Sequence, residues 1–254
     1  VNRLNLQKSA SACTLAVVSD DAPNAADPLP RQLRGKFVAF EGPDGSGKST
    51  QLLRLIELCT SSGVETCHVR EPGGTQVGEQ IRGILLDRNS EMSLHCEMLL
   101  YMASRAQLVE ERIRPAIREG RVVIADRFVS STFAYQGAGG GVPAEHIHAV
   151  ADVAVRGTYP DVVLIFDVDA DTAAKRTSGS ERIGKKKASV PATASLFADR
   201  IELRPRDFHT KVRQGYLDLA KGDPSKHIVI DASRTPDAVW ADMLARLRAW
   251  AATR

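Results

Sequence analysis

The stretch Gly42-Pro43-Asp44-Gly45-Ser46-Gly47-Lys48-Ser49-Thr50 restricts what this chain can fold into more than any other part of it. It satisfies the pattern Gly-x4-Gly-Lys-Ser/Thr at every fixed position. The apolar run Phe37 to Phe40 precedes it, and a periodic helix predicted over Lys48 to Thr60 follows. Glycines let the backbone bend so that successive N–H groups converge on an anion, and the helix adds its positive end. Lys48 is placed to neutralise the β and γ oxygens of a nucleoside triphosphate, and Ser49 to offer its hydroxyl to magnesium. Glycine-rich loops match this pattern by chance; a strand before and a helix after make it a nucleotide site.

From Lys36 onward apolar runs alternate with helical patterns. Further strands are predicted at Glu65 to Arg70, Arg121 to Asp126, Asp161 to Val168 and His227 to Asp231. Helices are predicted at about Thr75 to Leu86, about Glu91 to Glu119, Pro143 to Arg156, Arg206 to Ala220 and Pro236 to Trp250. In the second of these, Met98, Met102, Val109, Ile113 and Ile117 build one apolar face. Continuous apolar strands separated by helices mean a parallel sheet covered on both sides, a three-layer α/β domain over residues 34–254. Residues 1–33 lack hydrophobic periodicity, balance three basic against three acidic residues, and read as a disordered extension.

Composition narrows the partners. With 43% hydrophobic and 26% charged residues the chain buries a real core, and no apolar run is long enough to span a bilayer. A net charge of +3 does not argue for a nucleic-acid partner. Eleven Lys and Arg against four Asp and Glu fall between Lys175 and Arg213, so the basic character is local. Cys13, Cys59, Cys67 and Cys96 have neither metal-ligand nor redox spacing, which suits reduced thiols in a cytoplasmic protein.

Asp126 ends its strand where such folds place a metal-holding carboxylate, the alternative being an ion pair with Arg127. The loop alone does not name the acceptor. Glu41 to Thr50, Arg70-Glu71-Pro72-Gly73-Gly74-Thr75, Asp126-Arg127-Phe128, Ala134-Tyr135-Gln136-Gly137 and Asp199-Arg200-Ile201-Glu202, in this order, resemble thymidylate kinases of the bacterial type. The resemblance covers nearly everything after residue 35. It implies a P-loop NTPase fold with a five-stranded parallel sheet and a lid segment, ATP as donor, Mg2+ as cofactor, thymidine monophosphate as acceptor, and association into homodimers.

The resemblance also assigns roles. Arg127 clamps the acceptor phosphate and bridges it to the donor, with Arg82 as a second arginine on that phosphate. Bidentate guanidinium chemistry suits the task. Tyr101 stacks on the base and Arg105 bonds its carbonyl; by residue type alone the pair reads as a core tyrosine and a surface arginine. Thr132 and Gln136 read the pyrimidine edge, Tyr135 crowds the sugar 2′ position, Asp44 approaches the acceptor sugar and the clamping arginine, and Glu71 orders the acceptor loop. Ser130 stands where the family commonly has an acidic residue, and Gly45 where some members carry a loop arginine.

With glycine at position 45, the positive charge on the transferred group is expected from the lid, about residues 176–204. Arg200 is the first candidate and Arg182 the second, with Arg176, Arg204 and Arg206 as helpers. Lys185-Lys186-Lys187, within an apparent insertion to Thr193, reads as a solvated loop. Two competing readings remain at this stage. A nucleoside kinase would use Glu41 or Asp126 as a base toward a hydroxyl, against which the paired phosphate-seeking arginines Arg82 and Arg127 argue. A non-catalytic nucleotide switch would carry a guanine-reading Asn/Thr-Lys-x-Asp sequence, which the chain lacks. Arg200→Ala is expected to lower kcat by about three orders of magnitude with little change in acceptor binding. Steady-state kinetics check this, and an unaltered kcat would pass the role to Arg182.

Overall fold

The computed structural model describes residues 27–183, 201 and 204–254. The tail up to residue 26, the lysine run and insertion from Lys185 to Thr193, and Arg200 lie outside the described residues, as does the side chain of Arg182.

Five parallel strands, β1 (Phe37–Glu41), β2 (Thr66–Arg70), β3 (Val122–Asp126), β4 (Val162–Asp167) and β5 (His227–Asp231), stand in the order β2-β3-β1-β4-β5. Side chains alternate between the two faces of a strand, and in β1 both sets are buried. Phe37 and Ala39 enter one apolar layer with Met98, Met102 and Val212. Val38 and Phe40 enter the other with Leu52, Leu55 and Met243. That two-sided burial is why the strands read as unbroken apolar runs.

Helices α1 (Leu29–Gln32), α2 (Lys48–Ser61), α3 (Gln76–Leu86), α4 (Leu94–Leu108), α5 (Arg114–Arg118), α6 (Val129–Thr132), α7 (Ala144–Val155), α8 (Ala170–Ile183), α9 (Arg206–Gly222) and α10 (Pro236–Ala251) cover the sheet. Local signals set several boundaries. Thr75 and Ser93 cap α3 and α4 by accepting from the N–H groups of Gly78 and Cys96.

The helix expected over Glu91 to Glu119 is corrected in two places. It begins at Leu94, after the Ser93 cap, and it is interrupted by a π-helical segment, Val109–Ile113. Pro115 explains the interruption: it has no N–H for the carbonyl of Glu111, and its ring would crowd that carbonyl in a regular helix.

Besides α1, two helical regions were not foreseen. One is α8. The other is α6 running into a π-helical segment, Phe133–Gly139, whose hydroxyl- and glycine-rich sequence reads as loop. Packing decides it. The segment lies against α9 so closely that a Cβ on Gly215 would sit 2.6 Å from that of Ala138.

The extension expected up to residue 33 is corrected at its inner end. Leu29 and Leu33 are fully buried in the α2–α10 layer, and Asp27 accepts from the Arg248 guanidinium at 2.7 Å. Two leucines spaced by four residues supply too little pattern to register as an element, but their burial ties the segment to the domain. Leu33→Ala is expected to cost about 2–5 kcal/mol of unfolding free energy, read by chemical denaturation.

Candidate active site

In-register pairing brings the carboxyl ends of three strands together: Phe40 and Arg70 both align with Asp126. The loops leaving them surround a cavity of about 710 Å3. Asp44, Lys48, Ser49 and Asp126 line one side; Arg82, Tyr101, Thr132 and Gln136 line the other; Arg127 and Tyr135 stand between.

On the first side, α2 follows Gly47, an N-cap residue that offers no side chain, so the N–H groups of its first turn have no side-chain acceptor. Lys48 is buried and donates to Asp44 Oδ1 at 3.3 Å, with Asp126 Oδ1 at 4.0 Å. Ser49 donates to Asp126 Oδ2 at 3.4 Å. Asp126 Oδ1 is buried and accepts no hydrogen bond among the described residues. An unsatisfied carboxylate oxygen beside a hydroxyl suits a hard divalent cation that keeps water and phosphate oxygens in its shell. Position 45 has no room for the missing arginine. Gly45 has φ +77°, and a Cβ there would lie 2.4 Å from the Ala173 carbonyl oxygen of α8.

Arg127 joins the two sides. Its backbone is left-handed, φ 71°, a conformation that costs a non-glycine residue on the order of 1 kcal/mol and concentrates at functional sites. Its guanidinium donates to Asp44 at 2.7 Å, to the Gly42 carbonyl at 3.1 Å, and to Ser131 and Tyr216 at 3.2 Å, and it lies over the Tyr135 ring. Burial alone would raise the Asp44 carboxyl, but Arg127 and Lys48 outweigh it and hold that group well below the usual carboxylate range. Burial disfavours the charge on Arg127, and Asp44 more than restores it.

Beneath this pair lies Glu41, fully buried at the end of β1. It accepts from the N–H groups of Phe128 and Ser131 at 2.8 and 3.2 Å, from the Ser131 hydroxyl at 2.6 Å and from Tyr216 at 2.9 Å. Glu41 therefore caps α6 from another strand and fixes the turn that carries Arg127. Burial pushes its carboxyl above the usual range, against the pull of Ser131 and Arg127.

At the far side Arg82 donates to the Pro72 carbonyl at 2.9 Å and keeps its place on the cavity wall. Arg105 is not the surface residue its type suggested. It is 1% exposed and lies behind the wall. Its guanidinium grips Glu71 at 2.5–3.0 Å and also donates to the Phe128 carbonyl, Thr132 Oγ1 and Met102 Sδ. Burial pushes the Glu71 carboxyl up against the pull of Arg105. Gln136 donates to Glu97 at 2.7 Å, and Arg204 donates to the other Glu97 oxygen at 2.7 Å.

Of the other supposed lid helpers, Arg176 donates to the carbonyls of Ala232 and Ser233, and Arg206 pairs with Asp171. Sequence reasoning missed Glu97, Ser131 and Tyr216 as site residues and weighed Glu41 only as a base in a competing reading. Glu97, Tyr101 and Arg105 recur at spacings of four, which was a usable signal for one helix face. Tyr216 has no local signal, because its hydrogen-bond partners are 85 or more residues away.

The family model described as thymidylate kinase matches residues 40–243. A thymidylate kinase of Thermoanaerobacter pseudethanolicus is 43% identical over 212 residues, covering 84% of this chain and 97% of the relative. One from Chromobacterium violaceum is 42% identical over 214 residues, covering 84% and 94%. The crystal structure of thymidylate kinase from Ehrlichia chaffeensis superposes with a TM-score of 0.63 at 29% identity, covering 84% of this chain and 98% of that one.

Removing one member of a buried ion pair leaves the other uncompensated. Glu71→Ala is therefore expected to destabilise the fold by about 3–5 kcal/mol, measured by denaturant titration, because Arg105 stays buried.

Proposed function

The chain belongs to the thymidylate kinase family and is a phosphotransferase; we propose that its cleft transfers the γ-phosphoryl group of ATP to thymidine 5′-monophosphate, giving ADP and thymidine 5′-diphosphate. The observation that supports this reading is a cavity lined by Lys48 and Ser49 of the glycine-rich loop, by Tyr101, Thr132 and Gln136, and by Arg127, which reaches Asp44. The bond from the γ phosphorus to the β-phosphate oxygen breaks, and a phosphate oxygen of the acceptor takes its place. That oxygen is already anionic, so no general base is needed, and catalysis reduces to alignment and charge neutralisation.

Lys48 and the loop N–H groups hold the donor phosphates. Arg127 and Arg82 hold the acceptor phosphate, with Asp44 keeping the Arg127 guanidinium aimed into the cleft. Magnesium, when bound, supplies charge neutralisation at the donor phosphates, and Ser49 and Asp126 are the residues that would hold it. Tyr101, Thr132 and Gln136 meet the base, and Tyr135 the sugar. Arg105 acts on the base from behind the wall, through the Thr132 hydroxyl that it holds. Arg200 keeps its proposed role toward the transferred group.

Exposed Val77 and Ile84 on α3, Leu99 on α4 and Val153 on α7 lie on helices packed side by side, and we assign this face to a second copy of the chain. Cys59, Cys67 and Cys96 are free thiols, and among the described residues no helix is long and apolar enough to cross a membrane; both fit the cytoplasm.

An ADP-release assay with thymidine, uridine and cytidine monophosphates and with thymidine tests the reading. Thymidine monophosphate should turn over fastest, chelation of magnesium should abolish turnover, and Arg127→Ala should lower kcat/KM by about 10²–10³-fold. Equal turnover of uridine or cytidine monophosphate would defeat the substrate assignment.

A further inference from the structure

Glu97 is fully buried on α4 and takes no part in the reaction just described. Its two oxygens are divided between partners from different parts of the chain: Oε1 accepts from Gln136 Nε2, Oε2 from Arg204 Nη2, both at 2.7 Å. The Arg204 guanidinium supplies the counter-charge and rests on the Phe208 ring, 4.6 Å from its centroid. We infer that Glu97 is a positioning residue that sets the hydrogen-bond polarity of the base end of the cavity, and thereby selects a pyrimidine with an N3–H over one with a bare N3. This rests on the acceptor assignment above.

The argument turns on the amide of Gln136. A free glutamine can present either its oxygen or its NH2 group by flipping about its last bond, and so can pair with a donor or an acceptor. Next to an ion-paired carboxylate that only accepts, the NH2 group must face Glu97. The carbonyl oxygen then becomes the atom left for the cavity, which Gln136 lines, and it accepts no hydrogen bond among the described residues.

Thr132 is fixed in the complementary sense. Its Oγ accepts from Arg105 at 3.1 Å, so its own hydrogen is left to donate elsewhere. The wall thus offers an acceptor from Gln136 and a donor from Thr132. Thymine matches with its N3–H and a carbonyl. Cytosine would set its N3 lone pair against the Gln136 oxygen, and two facing acceptors in a buried site are strongly disfavoured.

The experiment compares kcat/KM for thymidine and cytidine deoxymonophosphates in the wild type, in Glu97→Gln, and in the reciprocal swap Glu97→Gln with Gln136→Glu. In Glu97→Gln the partner can itself donate, the Gln136 amide is free to flip, and the preference for thymine should fall by about 10- to 100-fold, mainly through the KM of each acceptor. In the swap the amide introduced on α4 donates to the carboxylate that replaces the Gln136 amide. An acceptor-only group then faces the cavity again, and the preference should return. Retained selectivity in a folded Glu97→Gln variant, or no recovery in a folded swap, overturns the proposal.

Should either variant fail to fold, the wild-type enzyme decides by NMR of its 15N-labelled glutamine side chains. The Gln136 NH2 protons should stay exchange-protected and nearly unshifted when thymidine monophosphate binds; a large shift would show that they, not the oxygen, meet the base. A wild type that does not distinguish the two acceptors would instead count against the substrate assignment itself.

Discussion

The contact between Arg127 and Asp44 holds the two halves of this molecule in one geometry. Asp44 belongs to the loop after β1 and Arg127 to the turn after β3, and their 2.7 Å bond spans neighbouring strands. Parallel pairing makes this possible, because it delivers both chain exits to the same edge of the sheet. The arginine adopts an unfavourable backbone conformation there, and the surrounding structure offsets the cost. Glu41 anchors the turn through two backbone N–H groups, and Tyr216 closes the network from α9.

Among the described residues, several buried charges are paired. Lys48 and Arg127 share Asp44, Arg105 faces Glu71, and Arg204 faces Glu97. A buried pair of this kind adds little net stability over an apolar substitute, but loss of one member is costly. These pairs therefore act mainly on geometry: they decide which way a guanidinium, a hydroxyl or an amide points. The same logic separates the Lys48–Arg127 end of the cavity, where positive charge gathers, from the Gln136 end, where donors and acceptors are fixed by residues one layer behind the wall.

The helices show where local signals suffice and where they do not. Ser93 and Thr75 mark helix starts by their own chemistry, and Pro115 marks an irregularity that its missing N–H makes unavoidable. The stretch after Arg127 carries no comparable signal. Its hydroxyls and glycines favour loop, and it winds up because Glu41 satisfies its first N–H groups and α9 packs against it. Leu29 and Leu33 are a milder case: two apolar residues become part of the core once α2 and α10 provide a surface for them.

What the sequence determined by itself was therefore the chemistry that is contiguous in the chain. The glycine-rich loop from Gly42 to Thr50, the apolar strands and most of the helices could be read because their physical causes lie within a few residues of one another. The order of motifs also pointed to the acceptor. Tertiary structure alone decided the long-range pairs: that Glu41 would support Arg127, that Arg105 would turn inward to Glu71, and that Glu97 would face Gln136. Each joins groups more than 30 residues apart, and burial makes their partners compulsory without leaving any periodic trace in the chain.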